Sequence, residues 1–374
     1  MLATVKEIMA FMEGVAPSEL AESWDNTGLA IGDREQVVKK VLLALDVLEP
    51  VIDEAVEIKA DMILTHHPML LFKKINSITK NDPLGRQIYK LIENKIAALS
   101  AHTNLDIARG GINDVLADLI GLLDVQILEE TWVEDLKKIV TYVPKTHLDA
   151  VRDAMCHAGA GHIGRYANCT FQSLGEGSFL PLEGTMPYIG EVGVLEKAEE
   201  IRLETIAPVK NVQKVVEEMI KAHPYEEVAY DIYPVEQKGK KEGIGRAGKL
   251  PQPLSFSEFA LLLKEKLGLD QIIHLVGDPN QKISCVGLCA GSGVEFMDKA
   301  KKIGADVYVS ADIKYHEAQR ALNMGICAAD ITHYASEVII LPVLAKMLQK
   351  EANEKGWDLE IVQSKINGQT FWTI

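Results

Sequence analysis

The chain is poor in thiols and in positive charge, and it has no long apolar run. Its five cysteines include no Cys-x-x-Cys pair, so the usual spacing of a thiolate zinc site or a redox dithiol is missing. An odd cysteine count, with no secretory leader at the start, leads us to expect a reducing compartment and a cytoplasmic protein. No stretch approaches the length of a membrane span, so no membrane partner is expected. Lysine and arginine number 39 against 54 aspartates and glutamates, a formal charge of −15. Non-specific nucleic-acid binding, which depends on neutralising phosphates, is therefore disfavoured. A Gly-x-Ser-x-Gly elbow, a Walker loop and a dinucleotide fingerprint are all absent, and the serine-hydrolase, P-loop and Rossmann readings lose their main support.

What the chain does have is three separated segments that each end an apolar run with metal-binding side chains. They are Thr65-His66-His67-Pro68, His102-Thr103-Asn104-Leu105-Asp106 and Thr332-His333-Tyr334-Ala335-Ser336-Glu337. Each follows a strand-like stretch, and ligands at the carboxyl ends of parallel strands sit where open α/β sheets place their sites. Neighbouring residues on a strand point to opposite sides, so His66 and His67 would serve one ion each unless the backbone bends there. His333 and Glu337, four apart, share a face if they open a helix, and the two carboxylate oxygens of Glu337 could then reach two ions. This spacing predicts two divalent ions bridged by Glu337, with His66, His67, Asp106, His333 and Glu337 as ligands. His102 stands at the rim as a sixth ligand or a proton carrier. Imidazole and carboxylate without thiolate suit zinc, iron, manganese or cobalt and do not choose among them.

The pattern of elements predicts an α/β protein with a discontinuous core domain. Residues 1–125 alternate helix and strand, from a helix at the N-terminus to one capped near Asn113 and ending about Leu123, which implies a largely parallel sheet. Residues 126–240 then change to the order strand, helix, strand, strand, helix, strand, an α+β ferredoxin-like insert. The charged segment Gln237-Lys238-Gly239-Lys240-Lys241-Glu242-Gly243 reads as a return linker. Residues 241–374 resume the alternation, and the first and third parts must form one domain because neither holds a full ligand set.

These motifs, together with Trp24-Asp25-Asn26-Thr27-Gly28-Leu29 and Gly243-Ile244-Gly245-Arg246, resemble the Nif-three-like family, whose members are often named GTP cyclohydrolase I type 2. The resemblance covers nearly the whole chain, including the central insert of the longer bacterial members, which is similar in order and length to PII-like and CutA-like domains. It implies that His66, His67, Asp106, His333 and Glu337 ligate two divalent metals. It also implies a purine nucleotide, GTP, as substrate and a homohexameric ring. The reaction expected is a metal-dependent hydrolysis, with His102 or His316 relaying protons. The alternative is a metal-binding regulatory or trafficking protein whose insert senses a ligand and which turns nothing over.

Four further features invite a role. Ala290-Gly291-Ser292-Gly293 follows a strand and precedes a helix, so its amides could hold an anion, although such a loop is more often a tight turn. Asp312, Lys314 and His316 follow another strand, where Lys314 could meet a phosphate. Trp24-Asp25-Asn26 could stack on a base or form a turn around a buried tryptophan. His223-Pro224-Tyr225-Glu226-Glu227 carries reactive side chains but reads as a surface turn entering an edge strand. His147, His157, His162 and His274 have no partner spacing and are read as structural or solvated, and Cys285 and Cys289 as small core residues.

Overall fold

The computed structural model describes residues 1–69, 77–269 and 273–371. The chain divides into two compact units, Met1–Thr131 with Glu242–Ile374, and Trp132–Lys241.

The first unit opens on the helix Val5–Val15, fixed at its start by a capping box between Thr4 and Glu7, which satisfies two otherwise orphaned amides. A five-stranded sheet follows, in the order Glu360–Gln363, Lys40–Ala44, Met62–Thr65, Ala97–Ser100, Gly28–Ile31. The first four strands are parallel and the last is antiparallel. The three inner strands are almost entirely apolar and buried, as strands covered on both faces must be. The helices Glu49–Glu57 and Pro83–Glu93 cover one of these faces, packing Ile52 and Leu91 against the register partners Leu42, Ile63 and Ala98.

A second set of strands in this unit runs in the order His274–Val276, Cys327–Asp330, Val307–Ser310, Lys282–Leu288 and the C-terminal part of Tyr230–Ser255. The central pairs are parallel, and the outer two are antiparallel to them. The sheets are thus mixed: the first has one parallel edge, Glu360–Gln363, and one antiparallel edge, Gly28–Ile31, and the second has a parallel centre flanked by antiparallel strands. The edge strands Gly28–Ile31, His274–Val276 and Glu360–Gln363 escape the sequence reading because each is short and at best half-buried.

In the second unit, two helices, Leu148–His157 and Val212–Ala222, lie between strands in the sequence order strand, helix, strand, strand, helix, strand. Along the sheet the order is Tyr230–Ser255, Leu123–Pro144, Glu196–Pro208, Thr170–Phe179. The last two pairings are antiparallel. Ile139, Val143, Val151, Met155, Leu203, Val215 and Met219 form its own buried core.

Two expectations need correction. The supposed linker 237–243 lies inside the strand Tyr230–Ser255. There Lys238 pairs with Asp135, and the Lys240 amide donates to Glu134, so an extended ribbon wet on both faces is held by polar cross-strand contacts and shows no apolar period. The helix expected from near Asn113 to about Leu123 is present as Ile112–Ile120, with Gly111 at its cap position and the left-handed Gly121 at its end, and a short helix, Thr103–Ile107, precedes it. Asn113 is not a cap. It is fully buried, donating to the Asp106 carbonyl and accepting from the Ala290 amide, both at 2.9 Å.

Candidate metal centre

Three carboxyl ends of strands in the first unit deliver the cluster. Met62–Thr65 stops before His66-His67, Ala97–Ser100 leads into His102 at the start of the helix Thr103–Ile107, and Cys327–Asp330 leads into the helix His333–Glu337. That last helix puts His333 and Glu337 one turn apart on one face. Entry to it is tight. Thr332, a β-branched residue, has φ of +66°, an outlier of the kind stored at functional sites, and Asp330 holds the turn by accepting from the Thr332 and Ile313 amides.

The four imidazoles of His66, His67, His102 and His333 pack together, with successive ring centroids 4.8 to 5.6 Å apart. His66, His67 and His102 present ligand atoms within 4.8 Å of one another, and so do His67, His333 and Glu337. His66 and His67 therefore do not diverge as adjacent strand residues would. Both lie beyond the strand, where the backbone bends, and the rings are tilted by 45°.

Each imidazole is anchored through Nδ1. His66 Nδ1 bonds the Ala101 carbonyl at 2.9 Å, His67 Nδ1 bonds Asp46 at 2.7 Å, His102 Nδ1 bonds Asp25 at 2.9 Å and His333 Nδ1 bonds Asp312 at 2.7 Å. A carbonyl or ionised carboxylate only accepts, so the hydrogen is on Nδ1, and in the neutral ring the lone pair is on Nε2. This is the pattern of metal-ligating histidines, whose second nitrogen donates to a carboxylate or carbonyl. Sequence reasoning placed Asp25, Asp46 and Asp312 near strand ends or turns but missed this shared duty. Three strand-end aspartates beside three strand-end histidines were the available signal.

The inner atoms lack partners. His66 Nε2, Asp106 Oδ1 and Glu337 Oε2 are buried without a hydrogen bond, a costly state in a protein interior. His66 Nε2 lies 3.8 Å from both Asp106 Oδ1 and Glu337 Oε1. Glu337 Oε2 stands 3.1 Å from His67 Nε2 and 3.2 Å from His333 Nε2, approaches that do not meet hydrogen-bond geometry. The two oxygens of Glu337 thus face different imidazoles. Room for this carboxylate comes from Gly291, where a Cβ would fall 2.2 Å from Glu337 Oε1.

Burial opposes charge on His67, but its bond to Asp46 and the nearby Glu337 carboxylate outweigh that and hold its pKa up at about 10. Glu337 likewise raises His333, to about 9, against burial and with help from Asp312. Burial pushes the Asp106 carboxyl up. Burial also opposes ionisation of Asp25, but its bonds to His102 and Thr103 prevail and hold it down at about 2. His66, Asp106 and Glu337 Oε1 on one side, and His67, His333 and Glu337 Oε2 on the other, are donors suited to divalent cations once the imidazoles give up their protons.

Trp24 is 53% exposed, so it is not the buried turn residue of one sequence reading, and it meets the His102 ring edge-on at 6.0 Å. Three amides of the loop Ala290–Gly293 are already engaged and so are not offered to an anion. The Ala290, Gly291 and Gly293 amides donate to Asn113, Ser336 and Ser310, and the chain beyond starts as the one-turn helix Val294–Phe296. His316 stands apart from the cluster, exposed on the first turn of the helix Tyr315–Met324 and bonded to Gln319. Arg246, from the Gly-Ile-Gly-Arg motif, is buried and structural: it pairs with Asp114 and donates to the carbonyls of Gly243, Gly245, Ile107 and Ala108.

A family model described as Duf34/NIF3 (NGG1p interacting factor 3) matches residues 3–369. The chain belongs to the Duf34/NIF3 family. A relative from Bacillus subtilis named GTP cyclohydrolase 1 type 2 homolog is 43% identical, over 98% of this chain and 97% of that protein. One of the same name from Halalkalibacterium halodurans is 41% identical over 99% of each. Among solved structures, a Bacillus cereus protein related to NIF3 superimposes with a TM-score of 0.92 at 39% identity, covering 100% of both chains. The Staphylococcus aureus protein SA1388 matches with a TM-score of 0.81 at 29% identity, over 100% of this chain and 99% of that one. The mixed α/β architecture is thus the NIF3 fold.

Proposed function

We propose that this NIF3 protein is a metal-dependent hydrolase holding two divalent ions on His66, His67, Asp106, His333 and Glu337. The observation that carries this is the orientation of the cluster. Every Nδ1 is tied outward while His66 Nε2, Asp106 Oδ1 and Glu337 Oε2 are buried without partners. Support for two ions rather than one comes from Glu337, whose Oε1 faces His66 and whose Oε2 faces His67 and His333. Ions held there would supply a water acidic enough to ionise near neutral pH and a countercharge for the developing anion. Around them Asp25, Asp46 and Asp312 hold the imidazole rings in register. His102, tied to Asp25, is the proton carrier in this reading, in preference to His316 on its exposed helix turn. Trp24 offers an aromatic edge beside His102 for a planar substrate.

A nucleotide is the proposed substrate class, on the relatives' name and on Trp24. The test is turnover of GTP, other nucleotides and phosphodiesters by metal-loaded protein, together with elemental analysis after desalting. Two ions per chain with hydrolysis is expected, and one ion or none overturns the dinuclear reading. A second reading, a metal-binding regulatory protein without turnover, is favoured by a cavity in the Trp132–Lys241 unit.

We further assign residues 126–240 as an inserted ferredoxin-like, PII/CutA-like domain between core parts 1–125 and 241–374. The sheet order in which the last and first strands are neighbours, followed by the third and second, supports it. Among the described residues no helix is long and apolar enough to cross a membrane, and all five cysteines are free, in keeping with the cytoplasmic assignment. A homohexamer is proposed on the family resemblance, and a monomer mass by light scattering would refute it.

A further inference from the structure

The Trp132–Lys241 unit contains a cavity of about 590 Å³, within the range of small-molecule sites. One wall comes from paired strands. Gly175 lies directly across from Glu200, and Gly177 two pairs further on, across from Ala198. With no side chains at the two glycines, the strand leaves a trough beside the Glu200 side chain. A Cβ on Gly177 would fall 2.2 Å from Glu200 Oε2, so the glycine is what gives the carboxylate its place in the wall.

Glu200 is a buried carboxylate, 8% exposed, and such groups are almost never buried unless paired. The Tyr225 hydroxyl donates to its Oε1 at 2.9 Å, and among the described residues no other side chain donates to the carboxylate. Burial and Glu200 both keep the Tyr225 phenol protonated, so it donates and the carboxylate remains an acceptor. Aromatic rings surround this acid: Tyr225 lies 5.9 Å from Phe179 and 6.2 Å from Tyr188, centroid to centroid. The charged residues lining the cavity are Glu176, Glu200, Glu226 and Glu227 against Arg202 alone; Arg202 is engaged by Glu204 and Glu176 by Lys197, and Glu226 accepts from the Met186 amide, so Glu200 and Glu227 carry the surplus negative charge. An acid deep in an aromatic pocket with an acidic rim is complementary to a cation with an apolar body, since aromatic faces attract cations and desolvation strengthens both interactions.

We propose that this cavity is a binding site for a small organic cation, an amine or amidine carried on an aromatic body, with Glu200 as its counter-charge. It rests on none of the metal-site residues.

The experiment is calorimetric titration of the full-length protein with benzamidine, benzamide and benzoate, three probes of one shape and different charge. A charge-assisted hydrogen bond to a buried carboxylate should make benzamidine bind roughly ten- to a hundredfold tighter than benzamide, with benzoate weakest. In Glu200→Gln the preference for benzamidine should fall to about that of the neutral probe. Gly177→Ala, whose methyl invades the place of the carboxylate, should reduce the same ratio and serves if the first variant does not fold. No binding of benzamidine at millimolar concentration, equal binding of benzamide, or tighter binding of benzoate would each overturn the proposal. So would a benzamidine preference that survives Glu200→Gln.

Discussion

Replacing Asp46 tests whether the aspartates behind the imidazoles matter to metal binding. Asp46 Oδ1 holds His67 Nδ1 at 2.7 Å, and loss of such an outer partner typically costs ten- to a hundredfold in metal affinity. At about 1.4 kcal/mol per factor of ten, that is about 1.4–2.7 kcal/mol. Asn keeps an oxygen that accepts from Nδ1 but loses the charge, so Asp46→Asn should lie near the tenfold end, and Asp46→Ala near the hundredfold end. Only the ion served by His67 should weaken, because His66 is anchored by the Ala101 carbonyl. Loss of the Asp46 charge also lowers the raised pKa of His67, now about 10. Protons then compete less at pH 7, and the loss of affinity should be larger at pH 9. The assay is competition with a chelator of known affinity at both pH values, with metal content measured on the same samples. Wild-type affinity in Asp46→Ala at both pH values, or equal weakening of both ions, would refute the reasoning.

Glu337→Gln should weaken both ions at once, since each oxygen faces a different set of imidazoles, and elemental analysis that finds one ion retained in full would contradict the bridge. If His102 carries protons, His102→Ala should keep both ions and slow hydrolysis by roughly a hundredfold or more; loss of an ion in the same preparation would instead make it a ligand. Metal uptake should release protons at pH 7 and tighten as pH rises toward 9, because the metal-free His67 and His333, with pKa values of about 10 and 9, must first deprotonate; an affinity flat between pH 6.5 and 9 argues against this. Arg246→Ala should destabilise the fold by about 2–4 kcal/mol in urea titrations, since several buried carbonyls lose their donor and Asp114 keeps only the Gly110 amide; a loss under 1 kcal/mol would show the guanidinium to be dispensable.

The strand ends and the segments that bring the histidines and Glu337 together were legible because each is an apolar run closed by a change of chemistry, as in Ala60 to His67. The one-turn spacing of His333 and Glu337 was legible for the same kind of reason, since helix geometry fixes it. What escaped depends on distant contact. Asp46, Asp25 and Asp312 act on histidines far along the chain, and their own neighbours do not reveal it. The strand through 237–243 was hidden because its hydrogen bonds lie across to another strand while its side chains meet water on both faces. His223 read as part of a surface turn but is buried, with Nε2 bonded to the Tyr142 carbonyl at 2.9 Å, a partner far removed in sequence. The inference of two ions survives in the proposal on a different footing from the one the sequence offered, since His66 and His67 converge and the separation is made by Glu337.

The ligands proposed here come from opposite ends of the chain, His66 to Asp106 early and His333 to Glu337 late, with a whole compact unit made between them. An ion bound to both sets acts as a reversible staple across an exceptionally long loop, and closing long loops is where a cross-link restricts the unfolded chain most. It also orders events in time. During synthesis the early histidines emerge with their anchoring aspartates Asp25 and Asp46 but without a bridging carboxylate, so the complete site cannot trap metal until Glu337 has left the ribosome. Metal capture would then coincide with completion of the first unit, and loss of metal would loosen the join between its two chain segments before it unfolds either one.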